Sequence, residues 1–94
     1  MNIEVTEQLE SIYLYPAALV APEKQAIVHT ILGSCVAVCL YDPVNKIGGI
    51  NHYMLPFWNG QGLASPKYGN IAIEKLYQKL INNGARHEYL IAKL

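Results

Sequence analysis

Charge is what this sequence has least of. Only 15% of its 94 residues are Asp, Glu, Lys or Arg, and seven basic against seven acidic side chains leave no net charge. No basic field is available to hold nucleic acid or an anionic membrane surface. No apolar run approaches the ~20 residues of a membrane-spanning helix, so membrane insertion is not expected. The first ten residues, Met1 to Glu10, are polar and acidic, unlike a secretory leader. Cysteine is scarce too. Cys35 and Cys39 stand four apart, and within one strand they would share a face too far apart for a disulfide. A reducing cytoplasm is the expected location. Internal repeats and low-complexity tracts are also missing.

What is present is apolar. Hydrophobic residues make up 52% of the chain, too many for a disordered segment and suited to strands buried on both faces. The length fits one domain, residues 1–94, near the small end of what folds alone. A pI near 6.8 gives little colloidal protection, which suits a protein working against a partner.

Taken in order, residues 1–10 form a loosely held lead-in. Ser11 to Tyr15 is a short strand that Pro16 ends, and Ala17 to Val20 is another. Pro22-Glu23-Lys24 marks a turn, and Gln25 to Ile31 a strand. Cys35 to Tyr41 (Cys-Val-Ala-Val-Cys-Leu-Tyr) carries the strongest strand signal and belongs in the sheet centre. Asp42 to Lys46 is a turn in which Pro sets φ while Asp and Asn supply side-chain hydrogen bonds. Ile47 to Leu55 returns antiparallel, with Gly48-Gly49 suggesting a bulge or a close backbone approach. A loop from Pro56 to Pro66 follows. Its Phe57 and Trp58 either touch a partner or cover the open end of the core. Lys67 to Asn83 is the one main helix, with Ile73, Leu76, Tyr77 and Leu80 on one face and Asn83-Gly84 as its stop. His87 to Leu94 reads as a final strand, with His87 on the surface.

The hairpin matters because of what it carries. Cys35 opens its first strand after a Gly33-Ser34 bend, and His52 lies seventeen residues later near the end of the second. Both fall at one end of the sheet by connectivity alone. A thiol beside an imidazole is a nucleophile-and-base arrangement for acyl chemistry. The Gly33-Ser34-Cys35 bend would offer backbone N–H groups to an oxyanion. A cysteine opening an apolar run also suits a small buried hydrophobe, which is the reading for Cys39. Cys35, Cys39, His29 and His52 could be drawn together as a zinc site. The two cysteines, however, share one strand that cannot make the usual knuckle turn, so no metal is expected. Asn51 either orients His52 or ends its strand.

Leu32-Gly33-Ser34-Cys35, the Asp42-Pro43 turn, Gly48-Gly49 and His52-Tyr53-Met54-Leu55-Pro56 stand in the order and spacing of a known family. The sequence resembles CheD, the chemoreceptor glutamine deamidase of bacterial and archaeal chemotaxis. The resemblance implies an α/β layered sandwich, with a largely antiparallel central sheet and one main helix, related to deamidating toxins such as cytotoxic necrotizing factor. It also implies hydrolysis of glutamine side chains on methyl-accepting chemotaxis receptors, whose cytoplasmic helices would be the partners. A CheC-type phosphatase would be a further partner, and a non-catalytic docking module the alternative function. Cys35 matches the family's nucleophile and His52 its base, and no cofactor is implied. A threonine before the Gly-Ser-Cys motif completes the triad. Thr30 is assigned that role, with His29 the rival because it holds the family's spacing from the cysteine. Family members continue beyond the position matching Leu94, so the domain is expected to be incomplete at its C-terminus.

Overall fold

Strand β4 (Val36–Asp42) and strand β5 (Ile47–Tyr53) build the centre of the computed structural model, which describes residues 9–94. They pair antiparallel without interruption from Asp42↔Ile47 to Val36↔Tyr53. The turn is closed by Asp42, a fully buried side chain. Its Oδ1 accepts the backbone N–H groups of Val44 and Asn45, both at 2.9 Å. Its Oδ2 accepts Asn45 Nδ2 at 2.8 Å and, from far along the chain, the Arg86 N–H at 2.9 Å. Burial alone would raise the Asp42 pKa. Those hydrogen bonds, led by the Asn45 side chain, outweigh it and lower the value from 3.8 to about 2.

The Gly48-Gly49 pair serves close approach and forms no bulge. A Cβ on Gly49 would sit 2.6 Å from the Val20 carbonyl oxygen and 2.7 Å from Leu76 Cδ1. Strand β2 (Leu19–Val20) pairs with β5, and β6 (Ile91–Lys93) with β4, both antiparallel, giving the order β2-β5-β4-β6. A separate parallel pair joins β1 (Glu10–Tyr13) to β3 (Ala26–His29). Of the lead-in expected over residues 1–10, all but the last two residues lies outside the described residues, and Glu10 already belongs to β1.

Alternation along the hairpin decides the layers. Val36, Val38 and Leu40 face helix α1 (Gly69–Asn82) and form the core with Leu76, Leu80 and Ala85. Ala37, Cys39 and Tyr41 point the other way, with Ile50 and His52 from β5. The β1–β3 pair lies over that second face, where Ala26 and Val28 share a cavity of about 690 Å³ with Cys39, Tyr41 and Ile50. Helix, four-stranded sheet and two-stranded sheet thus stack as an α/β layered arrangement with one main helix. Cys39 is half-buried in a cavity wall, not in the core as expected.

The helix presents a different stripe from the one its large apolar residues suggest. Gly69, Ala72, Leu76 and Leu80 are buried, while Ile73 is 38% exposed and Tyr77 half-buried. Small residues set this rotation. A Cβ on Gly69 would meet the Tyr53 ring at 2.8 Å, so glycine lets the helix begin against the sheet. Its first N–H groups donate to the Leu55 and Pro56 carbonyls at 2.6 and 3.3 Å. At the other end Gly84 has φ +108°, and the N–H groups of Gly84 and Ala85 return to Ile81 and Leu80. The segment after it does not run as one strand. Arg86, pinned by Asp42, leads into a 3₁₀ turn (His87–Tyr89) before β6 begins. His87 is exposed, as expected, with Nδ1 3.2 Å from the Tyr77 hydroxyl. No helix among the described residues is long and apolar enough to cross a membrane.

Replacing Leu76 by Ala leaves a cavity under the sheet. It should cost ~2–5 kcal/mol of unfolding free energy in a denaturant titration. The Asp42 value lies below its unfolded one, so its stabilisation is complete above about pH 4 and is lost as pH falls toward 2. Thermal melts across that window should show this acid limb shrink in Asp42→Asn.

Candidate active site

β5 delivers His52 to the face opposite the helix. The residue is 1% exposed. Its backbone is held from the β2 side: the His52 N–H donates to the Ala18 carbonyl at 3.1 Å, and its carbonyl accepts the Ala17 N–H at 2.8 Å. Ala17 adopts φ +67° after Pro16 to make that second bond, a left-handed conformation unfavourable for a residue with a Cβ.

Thr30 follows the last residue of β3, and its hydroxyl has two partners. It lies 2.6 Å from the Leu14 carbonyl oxygen and 2.8 Å from His52 Nδ1. A hydroxyl has one proton, and a carbonyl can only accept it. Thr30 therefore donates to Leu14 and accepts from His52. The Nδ1 atom must carry a proton, so in the neutral ring the lone pair sits on Nε2. The Nε2 atom is buried and has no hydrogen-bond partner among the described residues. Such an atom forgoes solvation without repayment unless something else is meant to meet it.

His29 is not at this place. It is exposed on the other face of β3, 5.8 Å from the Tyr13 ring between centroids. The one-residue step between His29 and Thr30 puts their side chains on opposite faces, and Thr30 has the parity of Val28, toward the sheet.

Cys35 immediately precedes β4 and is half-buried. Ala37 pairs directly with His52. Continued alternation from Ala37 would put Cys35, just outside β4, on the same face as His52. Its thiol does not reach hydrogen-bond distance of Nε2. Gly33 and Ser34 are exposed, and a Cβ on Gly33 would meet nothing within 4 Å. The N–H groups of Gly33, Ser34 and Cys35 donate to no backbone acceptor among the described residues. No three His, Cys, Asp or Glu side chains among those residues group as metal ligands.

Asn51 does not touch His52. Fully buried on the helix side, its Oδ1 accepts the Val38 N–H at 3.0 Å and so fixes β5 against β4 one residue from the site. Leu14, Ala17 and Ala18 had no signal in the sequence, because they act through backbone atoms. Phe57 is 70% exposed, Trp58 half-buried, and neither closes the core.

No family model matches the chain. Curated relatives do. A probable chemoreceptor glutamine deamidase CheD of Trichlorobacter lovleyi is 51% identical over 87% of this chain and 51% of its own length. The corresponding protein of Sulfurimonas denitrificans is 48% identical over 93% of this chain and 56% of its own. That of Methylobacillus flagellatus is 38% identical over 100% and 49%. The CheD resemblance is thus borne out along most of the sequence. The chain spans about half the length of the curated relatives it matches.

The Nδ1–H tautomer is open to direct test. Imidazole ¹⁵N shifts should show protonated Nδ1 and bare Nε2 for His52 in the native chain. Thr30→Val should mix the tautomers, whereas His29→Ala should leave them unchanged.

Proposed function

We propose that the chain hydrolyses glutamine side-chain amides of chemotaxis receptors to glutamates, with Cys35 as nucleophile, His52 as base and Thr30 as the group that orients it. The observation that carries this reading is the buried imidazole whose Nδ1 is held by Thr30 and whose Nε2 is left bare. Asn51 Nδ2 is also buried without a partner, but only His52 Nε2 belongs to a ring whose other nitrogen is held in place, which makes the non-catalytic reading, with a CheC-type phosphatase as partner, the weaker one. The names of the relatives supply the substrate class, and kinship with deamidating toxins belongs to the same reading. Receptors that present their modified residues in the cytoplasm make that the working compartment.

The chemistry follows from the groups present. The Cys35 thiol gives its proton to His52 Nε2, and the thiolate attacks the amide carbon. The resulting oxyanion is met by the free N–H groups of the Gly33-Ser34-Cys35 bend. The C–N bond breaks as the imidazolium returns the proton to nitrogen, releasing ammonia and leaving a thioester. Water, deprotonated by Nε2, attacks the thioester and expels the thiolate, yielding the glutamate carboxylate. The proton held on Nε2 returns to sulfur. Thr30 accepts the Nδ1–H bond throughout, so the ring cannot present its protonated nitrogen to the thiol.

Mass spectrometry of a chemoreceptor cytoplasmic fragment incubated with the chain should find glutamine converted to glutamate. Cys35→Ala should abolish the conversion, and His52→Ala should slow it by ~10²–10⁴, the usual worth of a general base. Thr30→Val should cost less than His52→Ala, and His29→Ala nothing. A folded wild-type chain that leaves every glutamine intact would sink the proposal.

A further inference from the structure

We infer that Asn59 is a site of spontaneous intramolecular deamidation, in which the Gly60 backbone nitrogen displaces ammonia from the Asn59 side chain and a carboxylate is left in the loop after β5. The inference goes beyond the proposed function and uses neither Cys35 nor His52.

Asparagine precedes glycine at two places, Asn59-Gly60 and Asn83-Gly84. Glycine has no side chain to hinder the approach of its own nitrogen to the preceding carboxamide. All four residues are exposed, so exposure does not choose between the pairs. The backbone does. Asn83 caps α1 with φ −85° and ψ −2°. That ψ eclipses the Gly84 nitrogen with the nitrogen of Asn83 and keeps it away from Cβ, where a five-membered ring has to close. The Gly84 N–H is also engaged, donating to the Ile81 carbonyl at 3.0 Å. Ring closure at Asn83 therefore requires the end of the helix to unwind and lose its cap.

Asn59 is under no such restraint. It lies in irregular backbone between β5 and α1. The Gly60 N–H donates to no backbone acceptor among the described residues. A Cβ on Gly60 would meet nothing within 4 Å, so the approach to its nitrogen is open. The Asn59 side chain is already folded along the main chain. Its Oδ1 accepts the Gln61 N–H at 3.0 Å, which arches the carboxamide over the Gly60 peptide. The same bond polarises the carboxamide carbon and favours the negative oxygen that forms when that carbon is attacked. Trp58 holds the arrangement from both sides. Its N–H donates to Asn70 Oδ1 at 2.9 Å, and its Nε1 to the Gln61 carbonyl at 3.0 Å. Nucleophile, electrophile and hydrogen-bond donor thus stand on three consecutive residues.

The bond changes balance with water alone. Hydroxide takes the Gly60 N–H proton, and the nitrogen attacks Asn59 Cγ. The Cγ–Nδ2 bond breaks, and ammonia leaves with a proton from water. The product is a succinimide ring, which water opens. Attack at Cγ restores the main chain and gives aspartate. Attack at the former backbone carbonyl gives isoaspartate, whose main chain runs through Cβ and Cγ. Either product adds a negative charge to a chain with no net charge, within a stretch from Met54 to Pro66 that contains no Asp, Glu, Lys or Arg. Aspartate keeps an oxygen for the Gln61 N–H. Isoaspartate lengthens the turn by a methylene and moves that oxygen, and with it the Trp58–Gln61 bond, out of place.

Peptide mass spectrometry of the aged Cys35→Ala chain, folded or in denaturant, tests this. In the folded chain Asn59 should convert at least ~10-fold faster than Asn83, the protection expected of a site that must first open locally. In denaturant the two rates should come within about twofold, because both pairs then have the same freedom. Conversion at Asn59 should speed up with pH, incorporate oxygen from labelled water and run equally fast in the wild type. Trp58 emission should change in step with the isoaspartate content, and Asn59→Asp should keep the emission of the fresh chain. Asn59→Gln, whose ring would be one atom larger, should not convert at this position. Equal rates at the two asparagines of the folded chain, a faster Asn83, or an unchanged Asn59 would overturn the inference. Conversion lost in Cys35→Ala but present in the wild type would overturn it too, since the step would then be enzymatic.

Discussion

Register between β4 and β5 is the constraint on which everything else depends. It places Ala37 opposite His52 and thereby puts Cys35 on the imidazole's side of the sheet. A slip of one residue would send His52 to the helix face and Asn51 to the thiol's side. Three devices resist that slip. Asp42 fixes the turn with four hydrogen bonds. The glycine pair admits Leu76 and the β2 backbone at one spot only. Asn51 bonds the Val38 N–H from within the core. None of the three is a contact of the His52 side chain, yet together they decide which residues share its face.

The helix joins this frame through the same segment that ends the site strand. The Leu55 and Pro56 carbonyls receive the first N–H groups of α1, so the Met-Leu-Pro stretch after His52 works as a cap. The strand bearing His52 and the helix bearing the core are therefore tied together. The Gly33-Ser34 bend, by contrast, is exposed, and a Cβ on Gly33 would meet nothing within 4 Å.

Much of this was legible in the sequence. Strand alternation, the Asp-Pro turn and the Asn-Gly stop each have a local chemical cause, and each element formed within a few residues of its expected place. What escaped has a common origin. The buried stripe of α1 includes Gly69 and Ala72, whose role is to be small, and counting large apolar residues favoured Ile73 instead. The strand expected over His87 to Leu94 is broken because Asp42, distant in sequence, takes the Arg86 N–H. Cys39 was placed in the core because a continuous apolar strand does not say how tightly its second face is covered. At the site, Cys35 and His52 were visible as residue types at a spacing. The choice between Thr30 and His29 was not, since it depends on which face of β3 meets the sheet. The Leu14 carbonyl that settles the proton's direction is invisible to any side-chain pattern.

The Lys67 carbonyl accepts the N–H groups of both Met54 and Leu55, at 2.8 and 2.9 Å. That single oxygen draws together the two ends of the loop carrying Phe57 and Leu63. A loop whose ends are clamped can grow or shrink at small cost, since doubling its length adds only about 0.6 kcal/mol of closure entropy. Between the clamped ends, the exposed Phe57 and Leu63 side chains make none of the loop's hydrogen bonds. Under the proposed function, that loop could diverge among descendants of one ancestral gene while Cys35, His52 and Thr30 stay in place. The clamp thus separates the length of the loop from the frame that holds His52.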